Sequence, residues 1–318
     1  MTEPAQKLEH TAGNLKPIIP QAVAVSAGDL ITMEMPARRL LLAPWLPAQG
    51  LAMVYAPRGV GKTYFALNVA YAVASGGQYL NWSAPACGRV LYLDGEMPAN
   101  VMQQRLRDIV ATAEKDAASD ALRIVTPDLQ GDQFMPDLSS ATGQASLESL
   151  LEGTDLVVVD NISTLCRGGI ENESESWLPV QQWALRLRSK GITVLFVHHA
   201  GKGGNQRGTS RREDVLDTVI SLKRPPDYSP DQGAAFEVHF EKNRGFTGTD
   251  AEPLDVSLAN TPTGLTWVWR ELEVSTYHKV VELAKEELSQ ADIARELDVN
   301  RSTVSRHIKA AKARGVIQ

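Results

Sequence analysis

The chain has 318 residues, 43% hydrophobic and 22% charged, with a formal net charge of −6 and two cysteines, Cys87 and Cys166, that form no CxxC pair. This is room for one large α/β domain and a small one. It excludes a disulfide framework or a zinc site and, with no apolar run near the ~20 residues a membrane helix needs, a spanning protein. The amino-terminal MTEPAQKLEH lacks a basic region followed by an apolar one, so no secretory signal is expected and the cytoplasm is the expected location, with no membrane partner.

Residues 1–36 hold Pro, Ala and Gly and few large apolar groups. They read as a tail, either mobile or docked as an arm on a neighbouring subunit. Residues 37–272 alternate strand-like and helix-like segments, the signature of a parallel-rich α/β core. Strands are expected at 51–55, 89–94, 122–126, 156–159 and 192–198, and helices at 63–74, 101–116, 144–152 and 174–190. From residue 218 the texture becomes β, with strands at 219–223, 235–241, 254–258 and 265–269. Residues 273–318 form a third, all-α segment.

The first strand and helix enclose Ala-Pro-Arg-Gly-Val-Gly-Lys-Thr at 56–63. A glycine-containing loop between a buried strand and a helix turns backbone N–H groups toward phosphate oxygens, and the helix terminus adds partial positive charge. The expected cofactors are ATP and Mg²⁺. Pro57, Arg58, Gly59, Val60, Gly61, Lys62, Thr63 and Tyr64 are the nucleotide-binding candidates. Lys62 would reach the β/γ-phosphates and Thr63 would hold the metal. The first glycine of the pattern is replaced by Ala56.

Other chemistry-bearing residues sit at strand ends. Asp160 follows Leu-Val-Val-Val at 156–159, where a Mg²⁺-directed carboxylate belongs. Glu96, in Asp-Gly-Glu-Met-Pro at 94–98, can orient and deprotonate an attacking water, with Asp94 as the rival carboxylate. His198 and His199 end the strand at 192–198, where one imidazole can hydrogen-bond a γ-phosphate. Residues 200–214 (AGKGGNQRGTSRRED) offer Lys202, Arg207, Arg211 and Arg212 to phosphates of DNA or of a neighbour's nucleotide. Lys242 and Arg244 close a strand and could stabilise γ-phosphate charge on a neighbouring subunit.

The C-terminal segment differs in charge. Residues 274–318 carry a net +2, which leaves −8 on the rest, and from Asn300 onward there are five basic residues and no acid. An amphipathic helix at 277–288 is followed by a capping-box-like start at Ser289 and apolar Ala291, Ile293, Ala294 and Leu297. A turn at 298–300 leads into a basic helix at 301–313. Val304 and Ile308 are expected to face inward there, and Arg301, Ser302, Thr303, Arg306 and Lys309 outward. Two short helices and a tight turn make a helix-turn-helix that would bind duplex DNA; a helical protein-contact domain is the alternative.

Taken in order, these motifs with Leu-Phe-Val-His-His-Ala-Gly-Lys-Gly, Arg-Gly-Thr-Ser and Lys-Asn-Arg-Gly resemble the RecA-like P-loop ATPases of the plasmid RepA and DnaB-type hexameric helicases, over roughly residues 40–250. The resemblance implies a RecA-like core and a ring, commonly a hexamer, with single-stranded DNA in its channel. By the same resemblance Glu96 is the catalytic base, Asp160 the Walker B acid and His199 a γ-phosphate sensor. Arg207 and Arg244 would be arginine fingers supplied in trans. The helix-turn-helix lies outside the minimal helicase, so an ATP-switched DNA-binding regulator or loading factor is the second reading.

Overall fold

The computed structural model describes residues 22–132, 134–168, 174–201, 213–225, 228–262 and 264–317. It divides into two compact units, Met1–Ala37 and Arg38–Gln318. In the first, Ser26 caps the short helix α1 (Ala27–Thr32) by accepting from the Asp29 amide at 3.1 Å.

The second unit runs β1 (Leu40–Leu42), β2 (Leu46–Pro47), β3 (Leu51–Ala56), α2 (Lys62–Ser75), β4 (Gln78–Tyr79), β5 (Trp82–Ser83), β6 (Val90–Asp94), α3 (Ala99–Thr112) and β7 (Leu122–Val125). It continues with α4 (Ala141–Ala145), α5 (Glu148–Leu151), β8 (Leu156–Asp160), α6 (Ile162–Leu165), α7 (Ser174–Ser189), β9 (Thr193–His199), β10 (Thr218–Lys223), β11 (Ala235–Asn243), β12 (Leu254–Thr261) and β13 (Gly264–Glu271). It closes with α8 (Leu272–Lys285), α9 (Gln290–Glu296) and α10 (Arg301–Ala313).

Among the described residues one nine-stranded sheet has the order β13-β12-β11-β10-β3-β9-β8-β6-β7. From β10 to β7 neighbouring strands are parallel, and β11, β12 and β13 add an antiparallel meander. Because side chains alternate along a strand, β3 feeds two cores. Ala52, Val54 and Ala56 pack with α2, while Leu51, Met53 and Tyr55 pack with α6 and α7. Both faces are covered, which is why these strands read as unbroken apolar runs. The strand bearing Asp160 is separated from the phosphate-loop strand by β9 alone. The fold is thus a RecA-like P-loop core with a small all-helical end.

Helix α2 is buried nearly all round. Phe65 meets Trp82 at 5.8 Å and Phe236 at 6.1 Å, and Trp82 meets Trp45 at 5.4 Å, all edge-to-face. The short pairs β1–β2 and β4–β5, which the periodicity did not reveal, contribute Leu42, Leu46, Tyr79 and Trp82 to this layer, and the turn between β1 and β2 adds Trp45. At the other end of β3, buried Asp217 accepts from the Leu51 amide and from Arg38, both at 3.0 Å.

Three expected helices differ, and the one expected at 101–116 runs instead from Ala99 to Thr112, where Ala113 turns extended. The helix at 144–152 is broken into α4 and α5: the Ser146 hydroxyl donates back to the Gly143 carbonyl at 2.8 Å, and the Gln144 amide donates to the Leu138 carbonyl at 2.8 Å. Such local side-chain bonds compete with helix propagation. The helix expected from 277 begins at Leu272, directly after β13, where the Ser275 hydroxyl donates to Asp255 of β12.

Candidate functional site

A cleft of about 670 Å³ opens where β3, β6, β8 and β9 end, and Lys62, Thr63, Glu96, Asp160 and His199 all line it. The carboxyl ends of parallel strands are where open α/β sheets bind ligands. The loop geometry is set by glycine: Gly59 and Gly61 have φ of 76° and 117°, a region that L-residues with a Cβ rarely adopt. A Cβ on Gly61 would also sit 3.4 Å from the Phe236 ring. Val60 is buried and anchors the loop to the core, whereas Pro57, Arg58 and Gly59 are exposed. Ala56 ends β3 fully buried, so the missing first glycine costs the turn nothing visible.

Lys62 folds over the loop, its Nζ donating to the carbonyls of Ala56 at 3.0 Å and Pro57 at 2.8 Å. Burial lowers its pKa to about 8, and the carboxylates of Asp160 and Glu96 oppose that shift. Asp160 is buried; the loss of solvent pushes it up to about 6, although the hydroxyls of Tyr92 and Thr63 donate to it. The Tyr92 bond is 2.6 Å long. Across the cleft, Glu96 Oε1 lies 3.8 Å from His199 Nε2. Burial, then Lys62, depress the His199 pKa, with Glu96 opposing. His199 is thereby favoured as a neutral ring beside a half-exposed carboxylate.

The donor set fits Mg²⁺. No group of three or more His, Cys, Asp or Glu residues is placed to hold a metal among the described residues. Mg²⁺ takes one or two protein oxygens and completes its shell with phosphate and water. The hydrogen-bonded pair of the Thr63 hydroxyl and the Asp160 carboxylate, with Lys62 beside it, supplies those oxygens.

The rival carboxylate is placed differently. Asp94 is 1% exposed and accepts from the amides of Glu96 and Met97 and from the Thr126 hydroxyl, at 3.0–3.3 Å. It fixes the turn that presents Glu96, and does not itself line the cleft. Burial raises its pKa.

Lys242 and Arg244 are not brought to this cleft. Asn243 pairs with Thr218 at the start of β10, while the opposite end of β11 lies near Gly233 and Ala234, which do line it. Nine extended residues separate the two ends by roughly 25–30 Å. Lys242 donates to the Glu213 carbonyl, and the Arg244 guanidinium reaches the Asp214 carbonyl at 3.5 Å. Lys202, Arg207, Arg211 and Arg212 lie outside the described residues.

At the C-terminal end, α8, α9 and α10 enclose their own core of Val280, Ile293, Leu297 and Val304, with Ile308 partly buried. Ser289 caps α9 by accepting from the Asp292 amide at 3.2 Å. Asn300 is the N-cap of α10 by backbone position only, without a side-chain cap bond, and Ala291 is exposed rather than inward. Arg301, Ser302 and Lys309 are exposed on α10, and Thr303 is half-buried. Arg306 is exposed but ion-paired with Glu273 of α8 at 2.9 Å. Among the described residues no strand follows α10.

Sequence reasoning missed Arg105, Asn161, Gly233 and Ala234, which line the cleft. Arg105 sits 5.6 Å over the Tyr64 ring. A signal existed: Arg105 is a charge inside the Met102–Leu106–Ile109 stripe of α3. Also missed was Arg224, which donates to the Gly59 carbonyl at 3.1 Å and stacks 4.0 Å over Tyr228.

Residues 16–205, more than half of the chain, match the family described as "AAA domain". Residues 283–318 match "Winged helix-turn-helix DNA-binding". Similar solved structures include a KaiC-like protein from Pyrococcus horikoshii OT3 (14% identity, TM-score 0.48) and the flagellar accessory protein FlaH from Methanocaldococcus jannaschii (12%, 0.47). Each alignment covers 70% of this chain and 90% of the other. The chain belongs to the AAA domain family, its ATPase-type core joined to a segment matching winged helix-turn-helix DNA-binding domains.

Proposed function

We propose that the protein is an ATP-hydrolysing DNA motor, a ring-shaped helicase of a plasmid, phage or mobile element that serves replication. The observation that carries this reading is the convergence of Lys62, Thr63, Asp160, Glu96 and His199 on one cleft in a chain that also carries a helix-turn-helix. Lys62 binds the β/γ-phosphates, and Thr63 and Asp160 hold Mg²⁺, which neutralises phosphate charge. Glu96 orients and deprotonates water, and His199, 3.8 Å away, senses the γ-phosphate. Exposed Arg224, stacked on the half-buried Tyr228 ring beside Gly59, offers a flat platform to the base.

Lys242 and Arg244 lie at the far end of β11 from their own subunit's cleft. That placement suits fingers supplied to a neighbour in a homo-oligomer, proposed as a hexamer, with Arg207 as a second finger. Lys202, Arg211 and Arg212 are proposed to meet single-stranded DNA in the channel. Arg301, Ser302, Thr303, Arg306 and Lys309 are proposed to meet duplex DNA.

The helix-turn-helix favours a second reading, an ATP-switched regulator or loading factor that acts at a chosen site. ATPase assays with and without single-stranded DNA, strand displacement and mass measurement of the assembly test both. DNA-stimulated hydrolysis with displacement supports the motor. Hydrolysis and site-specific duplex binding without displacement supports the switch.

A further inference from the structure

The turn that carries Glu96 is held from a strand that does not border the cleft. Strand β7 is the outer neighbour of β6 at the edge of the sheet, and Leu93 pairs in parallel with Val125. That register sets Thr126, the residue after β7, beside Asp94, the last residue of β6. Thr126 is 1% exposed, and its hydroxyl lies 3.0 Å from Asp94 Oδ2 and 3.3 Å from the Met97 carbonyl. A hydroxyl has one proton to give. The shorter bond, to a carboxylate, is charge-assisted and the stronger of the two. Asp94 in turn accepts from the amides of Glu96 at 3.3 Å and Met97 at 3.2 Å. One hydroxyl thus fixes the carboxylate on which the turn closes.

The far end of the turn is held from the same segment. Pro98 precedes α3 and supplies no side-chain cap. The Ala99 amide, without a partner inside the helix, donates instead to Asp128 Oδ2 at 2.8 Å. The middle is held as well. The Gly95 amide donates to the Asp160 carbonyl at 2.7 Å, and a Cβ on Gly95 would sit 2.2 Å from Thr164 Oγ1.

Glu96 depends on this framing. Its carboxylate is half-exposed and lies 3.8 Å from His199, too long for a strong hydrogen bond. Its aim at an attacking water therefore follows the backbone that carries it. Thr126 and Asp128 are not among the residues that line the cleft, so they act on the reaction only through that backbone.

We propose that Thr126 and Asp128 are positioning residues for hydrolysis. Thr126 acts through Asp94 and Asp128 through the start of α3, and together they hold the Glu96 carboxylate where it can activate water. The proposal rests on the reading of Glu96 as the base. A displacement of about 1 Å at a reacting group can cost about 10²-fold in rate, while the phosphate contacts assigned to Lys62 and Thr63 stay intact. The signature is slower chemistry at unchanged nucleotide affinity.

The test is single-turnover ATP hydrolysis beside equilibrium ATP binding, on the full-length chain with Mg²⁺. Thr126→Val nearly keeps the side chain's shape and removes its hydroxyl. Checked for native circular dichroism, it should hydrolyse about 10–10²-fold more slowly, with an ATP Kd within about twofold of the parent. Thr126→Ser, which keeps the hydroxyl, should recover most of the rate; a role for the methyl group in packing alone predicts the reverse. Asp128→Ala, at an exposed residue, should show a smaller loss of the same kind. In a Glu96→Gln chain neither substitution should slow hydrolysis further, because both act through Glu96. No slowing in Thr126→Val overturns the role of Thr126, as does a loss that Thr126→Ser shares in full or that persists undiminished in the Glu96→Gln chain. No slowing in Asp128→Ala overturns the role of Asp128. ATP affinity lost in step with rate would make the segment structural and overturn both. Full turnover in Glu96→Gln itself would fail the base reading and the proposal with it; a slow Glu96→Gln beside a fast Thr126→Val fails the proposal alone.

Discussion

Glu96 Oε1 stands 3.8 Å from His199 Nε2, and the two side chains come from the ends of strands β6 and β9, which β8 separates. The pair faces the Thr63 hydroxyl and Asp160 across a single cleft. Replacing Glu96 with Gln keeps its size and removes its basicity. We expect Glu96→Gln to bind ATP normally and hydrolyse it about 10²–10⁴-fold more slowly. Asp94→Asn should instead act on the turn that presents Glu96, through its bonds to the amides of Glu96 and Met97. Single-turnover hydrolysis beside equilibrium nucleotide binding separates the two. Normal turnover in Glu96→Gln would move the base elsewhere.

Lys62→Ala should lose both nucleotide binding and turnover, because the Lys62 ammonium is buried at the cleft floor near Ala56, Asp160 and Glu96. Chelation of Mg²⁺ with EDTA should stop turnover while far-UV circular dichroism stays unchanged, since no described cluster ties the fold to a metal. Hydrolysis that persists in EDTA would remove Thr63 and Asp160 from metal duty.

Arg244→Ala should bind ATP and fail to hydrolyse it, by about 10³–10⁵-fold for a finger. Its distance from its own cleft, along the length of β11, makes complementation the decisive measurement. Mixtures of Arg244→Ala and Lys62→Ala chains should regain turnover, since some interfaces then hold both intact parts. Proven mixed assemblies with no recovery would refute action in trans.

On α10, Arg301→Ala and Lys309→Ala should each weaken duplex binding and reduce the log–log salt slope by about 0.9. Arg306→Ala should have a smaller effect, because Arg306 is already paired with Glu273. Glu273→Gln, which frees that arginine, should strengthen binding. Salt titrations of fluorescence anisotropy on duplex DNA measure all four, and a Glu273→Gln chain that binds more weakly than the parent would contradict the ion-pair argument.

Ser289→Ala should destabilise the C-terminal helices by about 1 kcal/mol, the usual worth of an N-cap that accepts from a backbone amide. A local melt of these helices, followed by hydrogen exchange, should shift while the sheet's protection does not. An unchanged exchange pattern would mean that α9 is held by its packing alone.

The sequence by itself determined what depends on neighbours along the chain. The phosphate loop at 56–63 was legible because strand, glycines and Lys-Thr are contiguous, and backbone conformation is a local property. Asp160 was legible as an acid ending an apolar run, and the basic helix at 301–313 as charge laid over helical spacing. Local pattern also misled. Gln144 and Ser146 suit a helix until their side chains bond to other carbonyls, and the start of α8 was hidden because Ser275 is held by Asp255 across the chain.

The tertiary structure alone decided what depends on sheet order. Strand order brings Glu96 to His199, buries Asp94 and sends Lys242 and Arg244 to the far end of β11. It also turns Arg105 into a cleft residue and pairs Arg306 with Glu273. These are contacts between residues far apart in sequence, and their geometry follows from packing two helical layers onto one twisted sheet. Spacing along the chain carries no record of it.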